Sequence, residues 1–243
     1  MTRDTLFGGA VTLHQSARGE GYRANVDAIL LAAFSFSRRA RAAKRAVDLG
    51  AGSGAVALSL LHLGGAEHVT LVEIDPASAT LAEANLAANG WKEQGRVLVG
   101  NVDALGSLDA DLVVCNPPYV APGKGRVPAH PGRARARTGE LASFVRGARR
   151  VAGRRARICF VYPAASLFDL AGAMSSAGLE IKRARLVHAD AGAPARVVLV
   201  EALAAKPGGL VIEPPLFERE GKGYGEELRA LLEIRPGRGA GPA

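Results

Sequence analysis

From residue 44 onward, short apolar or β-branched runs alternate with longer helical stretches. This alternation restricts the fold more than any other feature of the chain. Residues 46–49 are a short strand ending at glycines, 55–63 a helical apolar stretch, and 68–73 a β-branched strand. Residues 76–88 are Ala-rich with Pro76 in the first turn, which predicts a helix. Strands are expected at 96–99 and 111–115, a helix at 138–151, a strand at 158–161 and a helix at 164–177 that stops at Gly178. Residues 180–187 and 196–201 form two successive strands joined by a Gly/Pro-containing loop. Repeated βαβ units imply an α/β fold, a parallel sheet with helices on both faces. The closing pair predicts an antiparallel hairpin at one edge.

Residues 5–43 precede this core. They contain a strand-like Ala10-Val11-Thr12-Leu13, a turn at Gly19-Glu20-Gly21 and a helix expected over 27–36. Residues 121–137, rich in Pro, Gly and Arg, are expected to be a long loop, and such loops are usually functional or disordered. The organisation expected is an N-terminal segment (1–43), one domain (44–234) and a disordered tail (235–243).

At 243 residues and 48% apolar, the chain has enough material for a sizeable core, which excludes a disordered protein. No apolar run reaches membrane-span length, and the first residues lack a secretory signal, so a cytoplasmic protein is expected. Cys115 and Cys159 each sit in an apolar run and are expected to be buried thiols. The five histidines show no metal-ligand spacing, so no metal is expected. Net charge is +8, and it is clustered. Between Lys124 and Arg157 there are eleven Lys and Arg (Lys124, Arg126, Arg133, Arg135, Arg137, Arg146, Arg149, Arg150, Arg154, Arg155 and Arg157) against one acid, Glu140. Such a segment, 124–157, suits a polyanionic partner such as RNA; a solvated arginine-rich surface is the simpler explanation of the same charges.

Asp48-Leu49-Gly50-Ala51-Gly52-Ser53-Gly54 follows the first core strand and opens a helix. Glycines there let the backbone approach a ligand closely. Glu73 ends the next strand, where a carboxylate can accept from a ribose diol. Gly50-x-Gly52-x-x-Ala55 also satisfies a looser dinucleotide pattern. Asp48, before the first glycine, is placed to reach the amino group of an aminoacyl ligand. Asp103, after the third strand, is placed to accept from an adenine amine, although a plain turn residue would look the same. A ligand with amino-acid, ribose and adenine ends and no pyrophosphate fits these three points, and S-adenosylmethionine is such a ligand.

Asn116-Pro117-Pro118-Tyr119 follows the fourth strand, at the carboxyl end of the sheet where α/β proteins bind ligands. The lone pair of an aromatic or amide amine is delocalised. Two acceptors, the Asn116 side-chain oxygen and the Pro117 carbonyl, can each take one N–H and favour a pyramidal nitrogen. Pro117 and Pro118 stiffen the loop that holds this geometry. Tyr119 offers a face on which a planar base can stack.

With these motifs in place, residues 46–201 resemble the class I S-adenosylmethionine-dependent methyltransferase family. The resemblance implies that Asp48, Gly50, Gly52 and Gly54 bind the methionyl end of the cofactor, that Glu73 binds ribose, and that Asn116, Pro117, Pro118 and Tyr119 hold the target amine. Asp103 takes the adenine end. It also implies a Rossmann-like seven-stranded sheet with helices on both faces and a reversed edge strand. Gly21-Tyr22-Arg23-Ala24-Asn25-Val26-Asp27-Ala28-Ile29-Leu30-Leu31-Ala32, Val198-Leu199-Val200-Glu201 and Leu210-Val211-Ile212-Glu213-Pro214-Pro215-Leu216 are similar to segments of the bacterial tRNA(Val) adenine-N6 methyltransferase family. That resemblance implies an adenine in tRNA beside the anticodon as target, with the N-terminal segment covering the cofactor and Tyr22 and Asp27 near it. Asp27 can also serve as the N-cap of the helix that follows.

A protein-glutamine methyltransferase of release-factor type shares the tetrapeptide but carries a helical N-terminal domain, for which the roughly 45 residues before the glycine loop are too short. Guanine-N2 and DNA-adenine methylation use the same chemistry. A non-catalytic RNA-binding protein on this fold would need none of Asp48, Glu73 and Asn116.

Overall fold

The computed structural model describes residues 2–15, 26–36, 41–118, 131–204, 207–221 and 223–234, with 131–139 described by their backbone. In chain order the elements are β1 (Thr2–Leu6), β2 (Val11–Gln15), α1 (Val26–Ser35), β3 (Ala43–Leu49), α2 (Ala55–His62), β4 (Ala66–Glu73), α3 (Pro76–Ala88), β5 (Gly95–Val99) and β6 (Ala110–Cys115). Then come α4 (Pro131–Val151), β7 (Ala152–Pro163), α5 (Leu167–Ser176), β8 (Glu180–His188) and β9 (Ala195–Leu203). The C-terminal segment holds β10 (Val211–Ile212), β11 (Leu216–Phe217), β12 (Arg219–Glu220), β13 (Gly223–Tyr224) and α6 (Glu226–Leu232). Among the described residues, no helix is long and apolar enough to cross a membrane.

The central sheet runs β10-β8-β9-β7-β6-β3-β4-β5, and β11 also pairs with β8. All its pairings are parallel except those of β9, which is antiparallel to both β7 and β8. Seven strands are long; β10 and β11 are two-residue pieces laid along β8. The reversed strand is therefore not the edge strand of the expected arrangement. β8 lies two positions from β7, and the short turn after β8 can only return the chain antiparallel, so β9 fills the gap between them.

The strands alternate their side chains between two cores. On one face, α1 and α2 pack with Phe7, Val11 and Leu13 of the N-terminal hairpin and Leu228 of α6 over Ala46, Leu71, Leu112 and Val161. On the other, α4 and α5 set Leu141, Val145, Leu170 and Met174 against Val47, Val113, Phe160 and Val200. Each large side chain so buried contributes roughly 1.5–3 kcal/mol of transfer free energy. Cys115 and Cys159 are both free and buried.

Helix α3 begins where the residue types require. Pro76 occupies its first turn, and the Asp75 side chain accepts the Ser78 N–H at 3.0 Å. Two segments differ from expectation. Helix α4 starts at Pro131, so residues 131–137 are helical rather than loop. Arg and Ala are strong helix formers, and a proline at the first position is compatible with that start. Strand β7 starts at Ala152 and carries a register shift opposite Ala110 and Leu112, which leaves the exposed Arg154 and Arg155 in an irregular stretch. Strand β1 was not expected from its polar residues; it forms because β2 pairs with it along its full length.

Candidate active site

The carboxyl ends of β3, β4, β5 and β6 converge on one cleft, with a volume of about 410 Å³. That lies within the range of roughly 300–1,000 Å³ typical of small-ligand sites. Gly50, Gly52, Glu73, Asp103, Asn116 and Pro118 all line it. Six residues chosen from four separate stretches of sequence are thus brought to one place.

The glycine loop leaves β3 with Gly50, Gly52 and Gly54 all at positive φ (69°, 54° and 88°). At Gly50 a Cβ would lie 2.9 Å from the Phe144 ring, whereas at Gly52 it would meet no atom within 4 Å. The first glycine is required by packing and the second leaves open space beside the cleft. The loop is pinned to the next strand: the Gly50 and Ala51 N–H groups donate to Val72 O at 2.9 and 3.0 Å.

Glu73 is buried, and its two oxygens accept from Gly52 N at 2.7 Å and Asp75 N at 2.9 Å. A carboxylate has about four acceptor positions, so each oxygen keeps capacity for a ribose hydroxyl. Asp48 lies beneath the loop. Its Oδ2 accepts from Ala57 N at 3.1 Å, while Oδ1 is buried and has no hydrogen-bond partner among the described residues. Burial pushes the Asp48 carboxyl up to about 7, the Ala57 N–H opposes this, and the Glu73 charge adds to it. A buried, half-satisfied carboxyl beneath a cradle of glycines suits a ligand that brings a cationic donor, as the ammonium of S-adenosylmethionine does.

Asp103 sits in a short turn capped by Asn101, whose side chain accepts the Asp103 N–H at 2.9 Å. Its carboxylate accepts from Ser143 Oγ at 2.6 Å and lies 3.5 Å from Arg146. Arg150 donates to the carbonyls of Asp103 (2.8 Å) and Val102 (3.2 Å). Two arginines of the basic segment thus hold this turn in place. A third, Arg157, donates to Ser35 O and pairs with Glu201.

Asn116 follows β6 directly and is buried, as is Pro117; Pro118 is exposed at the cleft. Gly54 caps α2 from behind the loop. Asp27 does not line the cleft: its fully buried carboxylate is paired with Arg196, in the first turn of α1. Tyr22, Tyr119, Lys124 and Arg126 lie outside the described residues. Ile74, Ser78, Glu140, Ser143 and Phe144, not expected from the sequence, also line the cleft. Ile74 carried a signal, being an apolar residue directly after Glu73, and it is 63% exposed. Ser143 and Phe144 carried none, since only the packing of α4 turns them toward Asp103 and Gly50.

Residues 26–129 match the family model described as the methyltransferase small domain. The tRNA1(Val) (adenine(37)-N6)-methyltransferase of Tolumonas auensis is 27% identical over 214 residues, covering 87% of this chain and 88% of its own. The protein of the same name from Aeromonas hydrophila is 37% identical over 123 residues, half of each chain. Among solved structures, a predicted O-methyltransferase from Agrobacterium tumefaciens is 25% identical with a TM-score of 0.65, covering 84% of this chain and 94% of that one.

Proposed function

We propose that this chain, a class I S-adenosylmethionine-dependent methyltransferase, methylates the exocyclic N6 amine of an adenine in RNA, in tRNA beside the anticodon. The observation that carries the proposal is the joint placement of Asn116 and Pro118 with Gly52, Glu73 and Asp103 around one cleft. The glycine loop and Asp48 take the methionyl end of the cofactor, Glu73 the ribose and Asp103 the adenine. When bound, the cofactor supplies a methyl group already activated on a sulfonium. The protein need only position the amine. The Asn116 side-chain oxygen and the Pro117 carbonyl accept the two N–H bonds, and Tyr119 stacks on the base. Asn116 and Pro117 would hold the amine nitrogen to which the sulfonium supplies its methyl, and the extra proton on that nitrogen would leave to solvent.

RNA is the substrate class that the named relatives support, and a loop nucleotide can be splayed into such a cleft at modest cost. The basic segment 124–157 then holds the phosphates. Its helical start, residues 131–139, extends α4 on the side of Glu140, which lines the cleft. The test is transfer of labelled methyl to total tRNA followed by nucleoside mapping, comparing wild type with Asn116→Ala. N6-methyladenosine beside the anticodon, lost in the variant, is the expected result. Label in protein instead would favour the glutamine reading, and equal transfer by the variant would remove Asn116 from its role.

A further inference from the structure

The far side of the glycine loop is held by a residue that does not line the cleft. Asn85, on α3, is fully buried. Its Nδ2 donates to Ser53 O, inside the loop, at 2.9 Å and to His14 O on β2 at 2.9 Å. Its Oδ1 accepts from His14 N at 2.7 Å and lies 3.0 Å from His14 Nδ1. Two carbonyls on one side fix which end of the amide is the nitrogen, and the remaining oxygen requires His14 to carry its proton on Nδ1. Every donor and acceptor position of the amide is then used.

Asn89 stands one turn further along the same helix face. Its Oδ1 accepts from Thr12 N at 2.8 Å, and its Nδ2 donates to Thr12 O at 2.8 Å and to Asn85 O at 2.7 Å. Residues two apart in a strand present their backbone groups on the same side. Asn85 and Asn89 therefore serve β2 as a neighbouring strand would, each pairing one residue's N–H and C=O. Asn85 differs in one respect: it also grips the loop.

We propose that Asn85 is a positioning residue for the cofactor. The loop is otherwise anchored at its β4 side, through Val72 O and the Glu73 carboxylate. Asn85 supplies the opposite anchor. Three glycines at positive φ leave the loop with much conformational freedom to lose, and a fixed Ser53 carbonyl removes part of it before the ligand arrives. The same side chain makes the loop and β2 order together.

Comparison of Asn85→Ala with Asn89→Ala tests this, because both cut ties to β2 and only the first releases Ser53. Thermal unfolding and calorimetric titration with S-adenosylmethionine and S-adenosylhomocysteine are the measurements, on the full chain. The two melting temperatures are expected to fall by similar amounts. Cofactor Kd is expected to rise about fivefold to tenfold in Asn85→Ala, the equivalent of one net hydrogen bond, and to stay within about twofold in Asn89→Ala. In Asn85→Ala, kcat at saturating cofactor stays near wild type. Equal changes in Kd for the two variants, or none in Asn85→Ala, overturn the proposal. Hydrogen exchange on the wild type gives an arm that needs no variant to fold. Cofactor is expected to slow exchange of the His14 amide, which donates to Asn85, together with that of Gly52; protection of Gly52 alone overturns the coupling.

Discussion

Arg196 stands between Asp27 and Glu218 and donates to both carboxylates. Asp27 belongs to the first turn of α1, Arg196 to the start of β9 and Glu218 to the C-terminal segment, so one guanidinium joins three parts of the chain. The other end of α1 is held in the same way. Arg183 donates to Phe34 O at 2.6 Å and lies over the Phe34 ring, and Arg157 donates to Ser35 O at 2.5 Å. Cations at a helix C-terminus and a carboxylate in its first turn both suit the helix dipole.

Replacing Arg196 by Met would leave the buried Asp27 carboxylate beside Glu218 without its cation. Breaking a buried pair from one side costs about 3–5 kcal/mol, and that loss is expected in urea unfolding of Arg196→Met. Arg196→Lys should recover only part of it, since one ammonium does not reproduce a guanidinium bonded to two carboxylates. The double variant Arg196→Met with Asp27→Asn should be more stable than Arg196→Met alone. A loss under about 1 kcal/mol for Arg196→Met would mean that water replaces the guanidinium.

If Asp48 takes the ammonium of the cofactor as proposed, binding is expected to depend on pH. Burial raises its carboxyl from the ordinary 3.8 to about 7. A carboxyl raised on folding keeps a proton that the unfolded chain gives up, so its contribution to stability is lost as pH rises from 3.8 towards 7. A bound ammonium reverses the preference by favouring the carboxylate. Binding therefore releases a proton below about pH 7, and affinity for S-adenosylmethionine should rise with pH until it levels off there. Titrations in buffers of different ionisation heat measure the released proton directly. Asp48→Asn should be at least as stable as wild type at pH 8, bind more weakly, and show no such slope. A wild-type affinity that is flat from pH 5.5 to 7 would detach Asp48 from the amine.

Gly50 and Gly52 should separate folding from binding. Both have positive φ, which costs a residue with a Cβ about 1–2 kcal/mol. Gly50→Ala adds a clash with the Phe144 ring at 2.9 Å, so it should lose both stability and cofactor binding. Gly52→Ala meets nothing within 4 Å, so its melting temperature should fall less. Its methyl enters space beside the cleft, and cofactor affinity should still drop by more than about tenfold, the cost of losing a close backbone approach. Unchanged affinity in Gly52→Ala would move the methionyl end away from this loop.

The glycines, Glu73, Asp103 and the Asn116 loop were legible because each follows a strand, and strand ends meet at one edge of a parallel sheet. The side chains contributed by helices were not. Ser143 and Phe144 reach the cleft only because α4 packs against β3 and β6, and no periodicity within 131–151 marks the face that will meet a ligand. The surroundings of Asp27 were hidden for a related reason. Its position in the first turn of a helix was clear, but its partner Arg196 lies 169 residues away and only the tertiary fold pairs them. The start of α4 was hidden by composition: an Arg, Gly and Pro mixture suits a loop as well as it suits a helix beginning at proline.

The eleven basic residues of segment 124–157 should divide by geometry into phosphate contacts and internal braces. Arg146, Arg150 and Arg157 already bond to Asp103, to the Val102 and Asp103 carbonyls and to Glu201, which leaves them poorly placed to meet RNA. Arg154 and Arg155 are exposed, but they lie near the amino end of β7, whereas the cleft is lined from the carboxyl ends of the strands. Arg133, Arg135 and Arg137 belong to the other end of α4, beyond Glu140 of the cleft. RNA affinity should fall steeply with salt, and each phosphate contact removed should lower the logarithmic slope by roughly 0.7 for a single strand. Alanine at 133, 135 or 137 should therefore flatten the slope, while alanine at 154 or 155 should not. Arg150→Ala should leave the slope unchanged and weaken cofactor binding instead, because it frees the turn that presents Asp103. Filter binding across a salt series, paired with cofactor titration, reads both quantities. A slope reduced by Arg154→Ala and untouched by Arg133→Ala would place the RNA near the amino end of β7.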